Sequence, residues 1–243
     1  MKKKFIVIIP ARLKSTRLPN KPLKLINKKP LIYWTWKNCS KVIQKDLIYV
    51  ATDSPKIHNI CKKYNIQSIN TGSNHLTGTD RIAEASLKIN TEMIINLQGD
   101  EPFIRPSDIK SFINFALKNK KVITNAYSII NKNIKKSNTN IPKCVVSNDN
   151  FLLYMSRSSI PGSKNKNYKI KSFKQVCMYG FPKTILKKLY GLNKKKTKLE
   201  SVEDIELLRV IENGYKVKML KVNDNKIAID TPLDLIAAKK LIK

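Results

Sequence analysis

Five apolar residues in succession at positions 5–9 (FIVII) are stopped by Pro10. Arg12, Lys14, Arg17 and Lys21 follow within a dozen positions, set among Ser15, Thr16, Pro19 and Pro22. A run so apolar and so short, without helical spacing, predicts a strand buried on both faces of a parallel sheet. Proline has no N–H and ends the ladder, so the basic stretch leaves the sheet as a stiff loop. In open α/β sheets ligands sit beyond the carboxyl ends of strands, and a cationic loop in that place suits several phosphate oxygens. Lys14 by itself reads as solvated. The arginines carry more weight, because only six of the 48 basic residues are arginine (Arg12, Arg17, Arg81, Arg105, Arg157, Arg209), and arginine has the fork for bidentate phosphate contact.

The alternation then repeats. Residues 31–43 place Ile32, Trp36, Cys39 and Ile43 at helical spacing, and 47–51 read as a second buried strand. Thr52-Asp53-Ser54-Pro55 opens a helix over 57–64. Strands at 66–69, 92–98 and 121–129 alternate with helices over 80–88 and 107–117, which predicts a βαβ protein with a mainly parallel sheet. Between 130 and 172 the pattern fails: Asn, Lys and Ser dominate, with β-like pieces at 143–147 and 151–156. This predicts an inserted lobe, for covering a site or for dimer contact. A strand at 175–181 and a helix at 182–190 follow. One acidic helix is expected over 199–212, facing a cationic surface, with Gly214 as its C-cap. Strands at 215–222 and 227–229 precede a helix over 232–242. The whole reads as a single α/β domain, 1–243, carrying the insertion 130–172.

Chemistry gathers where strands end. Thr77-Gly78-Thr79 before Asp80 and Arg81 opens a helix, either as a ligand-facing turn with free N–H groups or as an ordinary N-cap through Thr79. Gly99-Asp100-Glu101 leaves the strand at 92–98, and a carboxylate there suits Mg²⁺, which takes one or two protein carboxylates together with phosphate oxygens. Asp230 is the candidate second carboxylate; it also reads as the N-cap of the last helix. Arg157 is a candidate for holding a substrate carboxylate. His58 and His75 are expected on the surface. There is no G-x-x-x-x-G-K-[ST] and no G-x-G-x-x-G after the first strand, which argues against a P-loop ATPase and a dinucleotide-binding oxidoreductase. The residues alone point to a Mg²⁺-dependent enzyme acting on a nucleoside triphosphate.

The formal charge of +31 suggests a nucleic-acid partner if taken literally. The excess is almost all lysine, spread among asparagine and isoleucine. Its densest runs, at 2–4, 131–136, 164–171 and 193–198, hold hardly any aromatics and read as solvated loops, so no nucleic-acid role is expected. Cys39, Cys61, Cys144 and Cys177 have no paired spacing, which argues for reduced thiols. The start is too short an apolar run for a signal peptide and no eighteen-residue apolar span exists, so a cytoplasmic protein without membrane insertion is expected.

Six motifs run almost end to end in order. They are IIPAR-x-x-STRLP-x-KPL at 8–23, H-x-TGT-[DE]-R at 75–81, QGDEP at 98–102, SR-x-x-IP at 156–161, E-x-x-E-x-x-E-x-LR at 200–209 and DTP-x-DL at 230–235. The series resembles that of the CMP-Kdo synthetase (3-deoxy-manno-octulosonate cytidylyltransferase) family. The resemblance implies a three-layer α/β/α nucleotidyltransferase with a mixed sheet and a lobe forming a homodimer. It implies an enzyme that couples CTP to the acidic eight-carbon sugar Kdo, giving CMP-Kdo and pyrophosphate for lipopolysaccharide. Arg12, Arg17 and Lys21 would neutralise the triphosphate. Residues around Ala11, Ser15 and Thr77, Gly78, Thr79 and Arg81, with Gln98, would complete the CTP site. Gln98, Arg157, Gln175, Tyr179 and Glu206 would face the sugar, and Asp100 and Asp230 would hold Mg²⁺. The chemistry expected is in-line attack of the anomeric hydroxyl on the α-phosphorus, with Arg12, Lys21 and Asp100 as the catalytic groups and no covalent nucleophile. Gln175 and Leu207 stand where the family usually has His and Gln on the sugar side, which leaves amino-substituted Kdo or another ulosonic acid as an alternative acceptor. Asn20 and Cys177 replace typical glycines.

Overall fold

The apolar run becomes β1 (Lys3–Pro10), which lies inside a nine-stranded sheet and pairs in parallel on both edges. The computed structural model describes residues 2–15, 17–131, 135–165, 171–191, 194–223 and 228–241. Thr16, Ile227, Ile242 and parts of the three later basic runs lie outside the described residues. After β1 come the hairpin β2 (Leu25–Ile26) and β3 (Lys29–Pro30), then α1 (Leu31–Ser40), β4 (Ile48–Thr52), α2 (Pro55–Lys63) and β5 (Gln67–Asn70). Next are α3 (Gly78–Leu87), β6 (Thr91–Leu97), α4 (Pro106–Lys118), β7 (Ile123–Ile129), β8 (Lys143–Val146), β9 (Leu152–Ser156) and β10 (Phe173–Pro182). The chain closes with α5 (Lys183–Leu189), α6 (Lys198–Glu203), α7 (Leu207–Glu212), β11 (Val217–Lys221) and α8 (Pro232–Leu241).

The strand order is β11-β7-β10-β6-β1-β4-β5, and only β10 along that path runs against its neighbours. The hairpin β8–β9, inside the segment 130–172, continues the sheet from β10. Alternate residues of β1 feed two cores. Ile6 and Ile8 pack with Ile82 of α3 and Leu186 of α5, while Val7 and Ile9 pack with Trp36 of α1, Ile57 of α2 and Phe112 of α4. Each such buried side chain contributes about 1.5–3 kcal/mol, and helices on both faces leave the strand ends as the open edge. A small third cluster seats α8 through Ala238 and Leu235 against Ile26 and Leu31. No helix among the described residues is long and apolar enough to cross a membrane. The four cysteines are free thiols.

Two elements differ from their sequence reading. Ala228 and Ile229 form no strand; the Ile229 N–H instead donates to the Asp100 carbonyl at 3.0 Å, laying the segment across the exit of β6. The acidic stretch is two helices, because the chain turns at Asp204, left-handed with φ 48° and ψ 48°. A continuous helix keeps residues three apart as neighbours on one face. Here Glu200 binds Arg209, Glu203 accepts from the Ser156 hydroxyl and the Arg157 N–H, and Glu206 reaches α3, so one helix cannot serve all three.

The acids therefore do not share one cationic surface: Asp204 pairs with Lys196 at 2.7 Å, and Glu200 is turned inward onto the buried Arg209. All five Arg209 N–H groups are used: Nε and Nη2 on Glu200 at 2.6 and 2.8 Å, Nη1 and Nη2 on Asp80 at 2.7 and 3.3 Å, and Nη1 on the Leu189 carbonyl at 3.2 Å. The guanidinium also lies 4.4 Å from the Tyr190 ring centre. Removing one partner of a buried ion cluster leaves uncompensated charge and costs about 3–5 kcal/mol. Arg209→Met is therefore expected to lose stability on that scale in urea denaturation, and a loss below about 1 kcal/mol would show that Asp80 and Glu200 do not need it.

Candidate active site

The ends of β1 and β6 and the start of α3 meet with almost no space between them. A Cβ on Gly99 would stand 3.0 Å from the Pro10 carbonyl oxygen, and one on Gly78 would stand 3.1 Å from the Gln98 amide and 3.3 Å from Pro10 Cγ. A side chain at either position would have to push its neighbours back by a few tenths of an ångström, so glycine suits this close approach of the three loops. Thr35 fixes the second of them by donating to the Gly99 carbonyl at 3.0 Å.

Beyond β1 the chain reverses at Asn20, which takes φ 56° and ψ 31°, a left-handed conformation that asparagine tolerates. The turn delivers Lys21. Its Nζ donates to Asp100 Oδ2 at 2.7 Å and to Asp230 Oδ1 at 2.9 Å. Arg17 Nη1 lies 3.3 Å from Asp230 Oδ2 and 3.2 Å from Asn140 Oδ1. Burial alone would lower the Lys21 ammonium, but the charges of Asp100 and Asp230 together outweigh it and hold the group above its ordinary value. Asp230 is free for this role because Thr231 caps α8. The Thr231 hydroxyl accepts the Asp234 N–H at 3.2 Å, and the Asp234 carboxylate accepts the N–H groups of Asp230 and Thr231 at 3.0 and 2.8 Å, a reciprocal capping arrangement.

Two cavities flank this cluster. One, of about 320 Å³, is lined by Ala11, Arg12, Lys14, Ser15, Arg17, Lys21, His75, Thr77, Gly78 and Arg81. The other, of about 390 Å³, is lined by Arg157, Lys174, Gln175, Cys177 and Tyr179. Gln98, Asp100, Asp204, Glu206 and Asp230 line both and form the wall between them. Glu206 accepts the Gly78 N–H at 3.0 Å and the Thr79 hydroxyl, so it holds the start of α3 from the far side of that wall. Its burial, helped by the charges of Asp80 and Glu200, pushes its carboxyl up to about 7, against the hydrogen bonds from Thr79 and Gly78.

Several residues stand differently from their sequence reading. Thr79 is fully buried and off the cavity wall, donating to Glu206 and accepting from Asn96 at 3.1 Å, so it supports the turn from beneath. The N-cap of α3 is Thr77, whose hydroxyl accepts the Asp80 N–H at 3.1 Å. Arg81 reaches the wall with its guanidinium committed to Asp53 at 2.9 Å and Thr71 at 2.6 Å, and burial lowers its pKa. His75 is buried, not on the surface, because its loop folds back on α3, where Nε2 meets Glu84 and Glu84 also accepts the Gly72 N–H. Leu207 is wholly buried in the core and touches neither cavity, because it follows the bend at Asp204 on the side away from the wall. Lys14 lines the first cavity. Sequence reasoning missed Lys174 and Asp204, whose positions depend on the β10 register and on that bend; nothing in their local sequence marks them.

Asp100 and Asp230 are two oxygen donors focused on one positive charge. Among the described residues no group of three or more His, Cys, Asp or Glu is placed to hold a metal. Two carboxylates completed by phosphate oxygens and water are the donor set of a hard divalent cation, so the residues present fit such an ion.

A cytidylyltransferase family model matches residues 6–222. The chain is 39% identical to a 3-deoxy-manno-octulosonate cytidylyltransferase of Fusobacterium nucleatum, over 99% of this chain and 97% of that one. It is 36% identical to the protein of that name from Thermodesulfovibrio yellowstonii, over 98% and 97%. A solved structure of CMP:2-keto-3-deoxy-manno-octonic acid synthetase complexed with CTP superposes with a TM-score of 0.88 at 30% identity, covering 98% of each chain.

The raised carboxyl of Glu206 has a definite sign in stability. Below pH 4.5 both folded and unfolded chains hold its proton; as pH rises toward about 7 the unfolded chain releases it while the folded chain keeps it, so this contribution is lost. The urea midpoint of the wild type is expected to fall relative to Glu206→Gln across that interval. A difference that stays flat from pH 4.5 to 7 would mean that Glu206 titrates as in the unfolded chain.

Proposed function

Because the chain belongs to the 3-deoxy-manno-octulosonate cytidylyltransferase family, enzymes that join CTP to Kdo and release pyrophosphate, we propose that its two cavities divide these substrates between them. CTP occupies the cavity of about 320 Å³, with Arg12, Arg17 and Lys21 on the triphosphate and Ala11, Ser15, Thr77, Gly78, Arg81 and Gln98 around ribose and base. The sugar occupies the neighbouring cavity, with Arg157 on its carboxylate and Gln98, Gln175, Tyr179 and Glu206 on its hydroxyls. The observation that carries this division is that Lys21 spans Asp100 and Asp230 on the wall common to both cavities. Atoms that must react across two bound substrates have to meet at such a wall.

Asp100 and Asp230 would hold Mg²⁺, which would supply positive charge beside the triphosphate and lower the pKa of the sugar hydroxyl. The chain's own residues orient the rest. Arg157 and Glu206 fix the sugar so that its anomeric hydroxyl faces the α-phosphorus; the new P–O bond forms as the α–β bridge breaks, and the hydroxyl's proton passes to solvent water. Arg12 and Lys21 stabilise charge on the departing pyrophosphate, which leaves with the bridging oxygen. CMP-Kdo made in this way would supply lipopolysaccharide assembly. We place the enzyme in the cytoplasm as a homodimer; exposed Leu153 on β9 and Val202 on α6 support contact through the region of the 130–172 segment.

Pyrophosphate release is expected only when CTP and an acidic eight-carbon sugar are both present. Because Gln175 lies on the sugar-side wall, the assay is run with Kdo, amino-substituted Kdo and other ulosonic acids. Kdo is expected to give the highest kcat/KM, and a higher value for an amino sugar would reassign the acceptor. Asp100→Asn should lower kcat by roughly 100-fold or more with the fold intact; turnover like the wild type with Mg²⁺ would remove Asp100 from the site.

A further inference from the structure

The ammonium of Lys21 stands where two carboxylates focus, and a divalent cation serving the reaction needs those same oxygens. We infer that Lys21 is an internal counter-cation: without nucleotide it occupies the place of the divalent ion between Asp100 and Asp230, and the triphosphate draws it off. The metal then enters only with or after CTP. This rests on the reading of Asp100 and Asp230 as the metal carboxylates.

Three observations carry it. First, Asp100 and Asp230 bring two negative charges, and Lys21 with Arg17, at 3.3 Å from Asp230, brings two positive ones, so the cluster is neutral without any metal. A dication entering it would meet an ammonium at contact distance, and like charges at that range repel strongly in a partly buried site. Second, no third acid, His or Cys joins the pair among the described residues, so a lone cation gains two protein oxygens and must displace a lysine that already satisfies both. A nucleotide changes the balance by adding phosphate oxygens as ligands. Third, the lysine has somewhere to go. Its side chain lines the nucleotide cavity beside Arg12 and Arg17, while its backbone is pinned by the turn in which the Leu23 N–H donates to the Asn20 carbonyl at 2.9 Å. The ammonium can therefore swing toward a triphosphate by rotation of its four-carbon stem alone.

The probe is Mn²⁺, followed on the full chain by loss of the free-ion EPR signal. Wild type without nucleotide is expected to bind Mn²⁺ weakly. Lys21→Met and Lys21→Gln are each expected to bind it at least about tenfold more tightly without nucleotide, the smallest gain consistent with removing an adjacent like charge; either variant suffices if the other does not fold. Adding Asp230→Asn should abolish that gain. With a CTP analogue carrying a methylene α–β bridge, wild type should take up Mn²⁺ beyond what the analogue binds alone, and Asp100→Asn should lose the excess. Equal affinity in the wild type and the folded Lys21 variants, with the nucleotide-dependent uptake intact, would overturn the counter-cation and leave the metal carboxylates standing. No uptake that depends on Asp100 or Asp230 under any condition would remove the metal site, and the inference with it.

Discussion

One ammonium joins Lys21 to carboxylates 79 and 209 positions away in the chain, and the site exists only because the fold brings these three together. Each comes from a different device. The parallel pairing of β1 with β6 puts two strand exits side by side. The left-handed turn at Asn20 reverses the basic loop onto them. The Ile229 N–H bonded to the Asp100 carbonyl then lays the last segment over the same edge, where Thr231 and Asp234 cap α8 between themselves and leave the Asp230 carboxylate unspent. Backbone bonds do the positioning, so the carboxylates of Asp100 and Asp230 meet Lys21 and not a helix end.

The wall between the two cavities is anchored in the same way, from behind. Glu206 bonds the start of α3, and its neighbour by one turn, Arg209, is locked into a buried cluster with Asp80 of α3 and Glu200 of α6. Arg157 ties the β9 side to this bend through the carbonyls of Glu203 and Asp204 and to the 130–172 segment through the carbonyl of Thr139. The walls of the two cavities thus share one block of bonded side chains. Glu206, seated in that block, lines both cavities.

What the sequence disclosed was whatever a strand exit imposes locally: the apolar run, the proline stop, glycine where loops cross, and aspartate directly beyond. Asp100 was legible for that reason and Lys21 from the basic loop that follows β1, whereas Asp230 was read as leaving a strand and instead follows a segment bonded across the exit of β6. The bend at Asp204 was not, because the helical spacing of residues 199–212 is satisfied by either one helix or two. What selects two is the set of distant partners, Arg209, Ser156 and Gly78. The same cause hid the true roles of His75 and Thr79. Both look like surface or ligand groups in a polar stretch; His75 is buried because its loop folds back on Glu84 of α3, and Thr79 because the first turn of α3 lies against Glu206 and against Asn96 of β6.

In a chain with 48 basic residues, of which six are arginine, the side chain present at each tertiary contact reflects its geometry. Arg209 fills all five of its donors, and Arg157 and Arg81 each grip several oxygens at fixed angles, which a lysine's point charge cannot do. Arg105 is different: half exposed and paired with Asp108 three residues on, it contributes little that a lysine would not. The converse holds at Lys143, whose buried ammonium meets three carbonyls converging on one point, those of Asn138, Ile141 and Arg157. It holds most strictly at Lys21. Two carboxylates from different segments, focused on a spot the size of a cation, match a compact charge that can be exchanged for another. A guanidinium there would be planar, larger and bound through several bonds at once, and it would bind the aspartates too firmly to be displaced.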